Sequence, residues 1–175
     1  MTHHAPTSFA PDADDPRQLR DAFAKFATGV CVITTRGATG PIGITVNSFA
    51  SVSLDPALVL WSLAKSSNRF GVFAQATHCA IHILAADQMQ GCMDFTKRAD
   101  AFDNFKTEYN THGVPVIQDC LASFECSAHA VHDGGDHSIF VSKVDRVTTT
   151  KENHMKEPLV FFNKAFGQFD TEARQ

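Results

Sequence analysis

The sequence predicts a mostly β fold, an antiparallel barrel with a few peripheral helices. Three observations carry this. Six or more β-branched, apolar or alternating runs recur along the chain, among them VCVITTR (30–36), LVLWSLA (58–64), CAIHILA (79–85) and SIFVSKV (138–144). Helical spacing is confined to short stretches. Strands and helices do not alternate regularly, which disfavours a doubly wound nucleotide fold.

Residues 1–14 are rich in Pro, Ala, Asp and Thr without periodicity and read as a disordered tail. Residues 15–175 then form one domain, within the usual size range for a single core. Asp15 suits an N-cap and Pro16 the first helical position, and Leu19, Ala22, Phe23 and Phe26 follow at helical spacing until Gly29 stops the turn. The strand VCVITTR and the run IGITVNSFASVSL (42–54) pair as a hairpin across GATGP, and Asp55-Pro56 ends the second run. LVLWSLA is a strand, KSSN (65–68) caps the short helix RFGVFAQAT, and CAIHILA is the next strand. From Asp87 to Lys106 spaced Met and Phe in a polar background suggest one broken surface helix or two short ones. YNTHGVPVIQD reads as a loop, and LASFECSAHAVH (121–132) pairs with SIFVSKVDRVTTT to make HDGGDH a hairpin tip. PLVFFNKAFGQF (158–169) is one more apolar strand with an aromatic turn.

Composition removes several classes of function. The 175 residues are 43% hydrophobic with a net charge of -4, and no long basic run offers a footprint for phosphate backbones, so nucleic acid is not expected as a partner. No apolar stretch reaches membrane-span length, and MTHHAPTSFAPDADDP lacks the basic start and apolar run of a secretory signal; the expected location is the cytoplasm. Five cysteines, an odd number without a CxxC pair, fit buried thiols in a reducing compartment. Walker, GxGxxG, GxSxG and zinc signatures are all missing.

Three stretches carry candidate chemistry, each with a plainer alternative. HDGGDH gathers two histidines and two aspartates; a metal cage lacks a matching motif, which leaves a grip on a polar ligand or a solvated hairpin tip. TVNSFASVSLDP (45–56) interleaves short hydroxyls and one amide with apolar residues, as a flat, heteroatom-rich ring would require, although a solvated strand face explains it equally. In KSSN, hydroxyls and a cation sit where a strand yields to a helix, either as a phosphate seat or as an ordinary cap; Arg69 adds a second cation or faces water.

Together TGVCVITT, TVNSFASVSLDPALVLWSLAKSSN, CAIHILAADQ, GDHSIFVSKV and PLVFFNKAFGQF, in this order over most of the chain, resemble the flavin reductase-like family, whose fold is an FMN-binding, Greek-key split β-barrel. Its best-known members are reductase components of two-component flavin-dependent monooxygenases. The resemblance implies an NAD(P)H:flavin oxidoreductase, working as a homodimer with FMN or FAD and with NADH or NADPH, and serving a separate oxygenase. A non-catalytic flavin- or haem-binding split barrel is the alternative. By the same resemblance Thr45, Val46, Asn47, Ser48, Phe49 and Ser51 line the flavin ring, and Ser62, Lys65, Ser66, Ser67 and Asn68 hold its phosphate end. Gly135, Asp136 and His137 place the nicotinamide, with His137 nearest the chemistry, and Phe166 and Phe169 close the pocket. Phenylalanine stands near the final strand where relatives often carry tyrosine, so a hydroxyl contact there is lost.

Overall fold

The structure, a computed structural model, describes residues 8–12, 15–149 and 156–169. Residues 1–7 and 13–14 of the predicted tail, and Thr150 of the last long strand, lie outside these. In chain order the elements are α1 (Arg17–Phe23), β1 (Thr28–Gly29), β2 (Cys31–Arg36), β3 (Pro41–Val46), β4 (Ala50–Leu54), β5 (Ala57–Ala64), α2 (Phe70–Gln75), β6 (His78–Ile83), a 3-10 turn (Ala86–Gln88), α3 (Met89–Lys97), β7 (Thr107–Tyr109), β8 (Pro115–Ile117), β9 (Ala122–Gly134), β10 (His137–Thr148), β11 (Leu159–Phe162) and β12 (Ala165–Gln168).

Seven strands make the main antiparallel sheet, in the order β3-β2-β6-β9-β10-β5-β4. Its two edge strands, β3 and β4, are joined by only Asn47, Ser48 and Phe49, so the sheet must curl until its edges meet. The Ser48 hydroxyl ties this crossing to β5: Oγ accepts from the Ser62 amide at 2.9 Å and donates to the Ser62 carbonyl at 3.1 Å. Ser48 and Ser62 continue the β4–β5 register beyond Ala50↔Leu60, with a side chain standing in for the main-chain rung.

Alternation along β2 divides the interior into two cores. Cys31 and Ile33 point into the barrel with Val46, Trp61, Leu63, Phe73, Ile81 and Phe140, where Trp61 stacks on Phe140 at 4.4 Å. Val30 and Val32 face outward, under α3, with Leu84, Cys92, Phe95, Ile117 and Leu159. Both faces of β2 are therefore buried, which is why VCVITT reads as a continuous apolar run. Its threonines are paired: Thr34 Oγ1 donates to the Pro115 carbonyl at 2.5 Å and Thr35 Oγ1 to the His78 carbonyl at 2.8 Å.

Several sequence expectations change. The run at 42–54 is two strands on opposite edges, because periodicity continues across the crossing at 47–49. The C-terminal segment is a hairpin, β11–β12, turned by Asn163 and Lys164 at φ 49° and 65°. YNTHGVPVIQD contains half of the small β7–β8 hairpin. Residues 87–106 give one helix, α3, whose Gly91, Cys92 and Phe95 are buried rather than superficial. Burial pushes the Cys92 thiol up to about 11, so it is no nucleophile, and all five cysteines are buried and outside any disulfide. Helix α1 begins one residue later than predicted, at Arg17, and buries none of its residues; Phe23 and Phe26 are 67% and 77% exposed.

Candidate functional site

An open groove of about 510 Å³ runs beside the crossing, lined by Phe23, Phe26, Thr28, Asn47, Ser48, Phe49 and Ala50. It is aromatic on one side and amide- and hydroxyl-bearing on the other. Thr28 Oγ1 is buried there without a hydrogen-bond partner among the described residues, a polar atom suited to a heteroatom-bearing ligand. Phe23, Phe26 and Thr28 line this groove but were not among the site residues expected from the sequence. The two rings look like the inward stripe of a helix, and only the short TGV stretch before β2 marked Thr28.

The predicted ring-lining residues do not all face the groove. Asn47 is exposed and Phe49 half-buried, its ring 5.8 Å from Phe124. Val46 turns into the barrel core, and Thr45 turns the other way, donating to the Cys92 carbonyl at 2.7 Å. Those two side chains are structural, while the crossing they lead into is free of strand pairing. Ser51 is exposed on β4 opposite Val59.

At the far end of β5 the second predicted cluster assembles. Ser62 is tied to Ser48, Ser66 and Asn68 are exposed, and Ser67 Oγ accepts from the Arg69 amide at 3.3 Å. Arg69 neither adds a surface cation nor faces water. It is buried, and Nη1 donates to the carbonyls of Gly43 at 3.2 Å and of Phe95. Burial lowers its pKa, though far from neutrality for a guanidinium.

HDGGDH is a hairpin tip, as read. Gly134 pairs with His137 across a two-residue loop in which Gly135 takes φ 78°, a left-handed value that glycine adopts without strain. The tip leans on the end of β5: His137 is opposite Ala64, the Lys65 amide donates to the Asp136 carbonyl at 2.9 Å, and Lys65 Nζ pairs with the Asp133 carboxylate. That contact holds Asp133 below the usual carboxylate range, and the His137 ring does the same for Asp136, 2.8 Å away. A carboxylate only accepts, so His137 Nδ1 carries the proton and Nε2 remains for a ligand. Phe166 packs against Phe161 at 5.2 Å beside the outer core, and Phe169 is exposed.

Among the described residues no three His, Cys, Asp or Glu side chains converge as a metal cluster. On β6, His82 is a buried core residue and His78 stacks on His112 at 3.7 Å. No helix among them is long and apolar enough to cross a membrane.

A barrel closed at an unpaired crossing, with a histidine hairpin on the neighbouring strand, agrees with the comparisons to known proteins. The family model described as a flavin reductase like domain matches residues 23–170. The chain belongs to the flavin reductase-like family. Among its relatives, the FMN reductase (NADH) SmoA of Agrobacterium fabrum is 51% identical over 161 residues, 92% of this chain and 90% of SmoA. The reductase component of the flavin-dependent trigonelline monooxygenase of Acinetobacter baylyi is 46% identical over 76% of this chain, which spans only 44% of that longer protein. Among solved structures, the NADH:FAD oxidoreductase SgcE6 of Streptomyces globisporus superposes with a TM-score of 0.85 at 34% identity, covering 98% of each chain. The same flavin reductase has been solved with NAD and FAD fragments, again with a TM-score of 0.85. These matches establish the antiparallel split barrel.

Proposed function

We propose that this flavin reductase-like chain is an NADH:flavin oxidoreductase that reduces FMN or FAD and passes reduced flavin to a separate flavin-dependent oxygenase. The observation that supports the reading is that β5 ties together the 47–49 crossing and the His137 hairpin tip, the two stretches proposed for flavin and nicotinamide. Its Ser62 anchors the crossing at 47–49, and Lys65 just beyond it anchors the His137 turn. When both nucleotides are bound, reduced nicotinamide supplies a hydride and the flavin ring accepts it.

The chain's task is to hold two flat rings in register and exclude water. Asn47, Ser48 and Phe49 offer backbone groups outside the strand ladders and one amide to the polar edge of an isoalloxazine, and the groove's phenylalanines cover its apolar face. Ser66, Ser67 and Asn68 offer hydroxyl and amide donors to the phosphate end. His137 Nε2, an acceptor in the neutral ring and a donor in the protonated one, suits the carboxamide of nicotinamide.

The groove is open on one side, and Phe23 and Phe26 on its wall, with Val52 and Leu54 along edge strand β4, the last 98% exposed, are uncovered apolar surface. A homodimer would cover them and complete the groove. Sedimentation equilibrium should give twice the 19.1 kDa chain mass; a monomer at micromolar concentration would count against this arrangement. Five buried thiols outside any disulfide suit the cytoplasm.

The direct test is anaerobic NADH oxidation with FMN, FAD and riboflavin in turn, with NADPH as the alternative donor. Turnover with at least one flavin is expected; a tightly held chromophore without NADH oxidation would point to a non-catalytic binder. His137→Ala should raise the KM for NADH about tenfold while flavin affinity stays within roughly twofold, the loss of one oriented hydrogen bond. An unchanged dependence on NADH would remove His137 from the site.

A further inference from the structure

Lys65 is the one cation in the KSSN stretch, and a phosphate-binding role for it follows naturally from the sequence. Its contacts argue otherwise. The ammonium pairs with the Asp133 carboxylate and donates to the Gly135 carbonyl at 2.7 Å, and the residue's own amide donates to the Asp136 carbonyl at 2.9 Å. Three bonds from a single residue thus reach three of the four residues at the tip. A phosphate seated on this ammonium would lie against Asp133, like charge against like charge. The Asp133 and Asp136 side chains are 78% and 92% exposed, so packing does not define the loop. We propose that Lys65 is a positioning residue that sets the hairpin tip over the end of β5, and so aims His137 at the nicotinamide, instead of binding the flavin phosphate. The proposal rests on the flavin reductase reading given above.

A water-exposed ion pair contributes little to stability. Its value here is directional. Gly135 leaves the loop backbone permissive, and two of the ammonium's three donors, together with the amide, fix where that loop lies relative to Ala64. The phosphate end of the flavin is then left to the hydroxyls and amide of Ser66, Ser67 and Asn68.

Lys65→Met, Asp133→Asn and the double variant separate the two roles. The readouts are steady-state kinetics, flavin titration by fluorescence quenching, and hydrogen–deuterium exchange over residues 133–140. A positioning role predicts that each single substitution raises the KM for NADH by about three- to tenfold, with kcat and flavin affinity within roughly twofold. The double variant should be no worse than the poorer single one, because both remove the same contact. Exchange at the tip should quicken in all three.

Several results would overturn it: flavin affinity falling about tenfold in Lys65→Met, flavin affinity rising in Asp133→Asn as a competing carboxylate is removed, additive losses in the double variant, or tip exchange unchanged. The last measurement needs no substrate. If the unaltered protein oxidises no NADH with any flavin, the reductase reading fails, while the exchange data still decide whether Lys65 holds the tip.

Discussion

His82→Ala is expected to destabilise the protein by about 4–5 kcal/mol, combining a truncated core side chain with two orphaned backbone groups. The ring is fully buried between three elements. Nδ1–H donates to the Val32 carbonyl at 3.0 Å on β2, and the Ile117 amide on β8 donates to Nε2 at 3.0 Å. That pairing fixes one neutral tautomer, since Nε2 must accept. Burial pushes the pKa down to about 4, whereas the unfolded chain protonates near 6.5. As pH falls below about 6.5, the unfolded state takes up a proton that the folded state refuses. The stability due to the neutral ring is therefore complete above 6.5 and lost progressively down to about 4, a total of about 3 kcal/mol. Urea unfolding at a series of pH values checks both parts. The unaltered protein should lose stability across this window, and the alanine variant, already weak, should lack that slope. A loss under about 1 kcal/mol in His82→Ala would show that β8 is held by other means.

Gly43→Val should cost about 3 kcal/mol, lowering Tm by about 6–12 °C for a chain of this size, and should weaken flavin binding as well. An ideal Cβ on Gly43 would lie 2.4 Å from Phe95 Cε1, closer than real carbon atoms approach. Phe95 cannot retreat easily, being fully buried against Phe102 and Phe105 at 4.9 and 5.8 Å. The route to the ligand is the backbone. The Gly43 carbonyl accepts from Arg69, which also binds the Phe95 carbonyl and stands at the N-terminal boundary of α2, immediately after Ser66, Ser67 and Asn68. Spreading β3 from α3 breaks that bracket. Calorimetry and flavin titration on one preparation test the link; a wild-type Tm would mean that α3 slides aside without cost.

Much of the barrel was legible because its strands carry the pattern of their surroundings. β2 reads as a continuous apolar run because both its faces are buried, and β5 shows alternate burial along its length. The β9–β10 tip was marked by its paired glycines. The β11–β12 hairpin escaped notice because Asn163-Lys164 lacks the glycine that usually signals such a turn. The break at 47–49 was hidden by uninterrupted alternation, which records facing and not which neighbour a strand takes. For the candidate site, residue type marked the stretches, but the directions of Thr45 and Val46 and the partners of Lys65 and Arg69 depend on contacts distant in sequence. Phe23 and Phe26 misled for another reason: apolar periodicity shows that a face seeks cover, not that its own chain supplies it.

Stitching the wall through the Ser48 hydroxyl has a consequence for recognition. Sheet proteins ordinarily spend their main-chain donors and acceptors on neighbouring strands, and a planar heterocycle then meets only side chains. Here three consecutive peptide groups are excused from that duty while remaining pinned by their middle residue. They can therefore address a guest's heteroatoms with the stiffness of the scaffold itself.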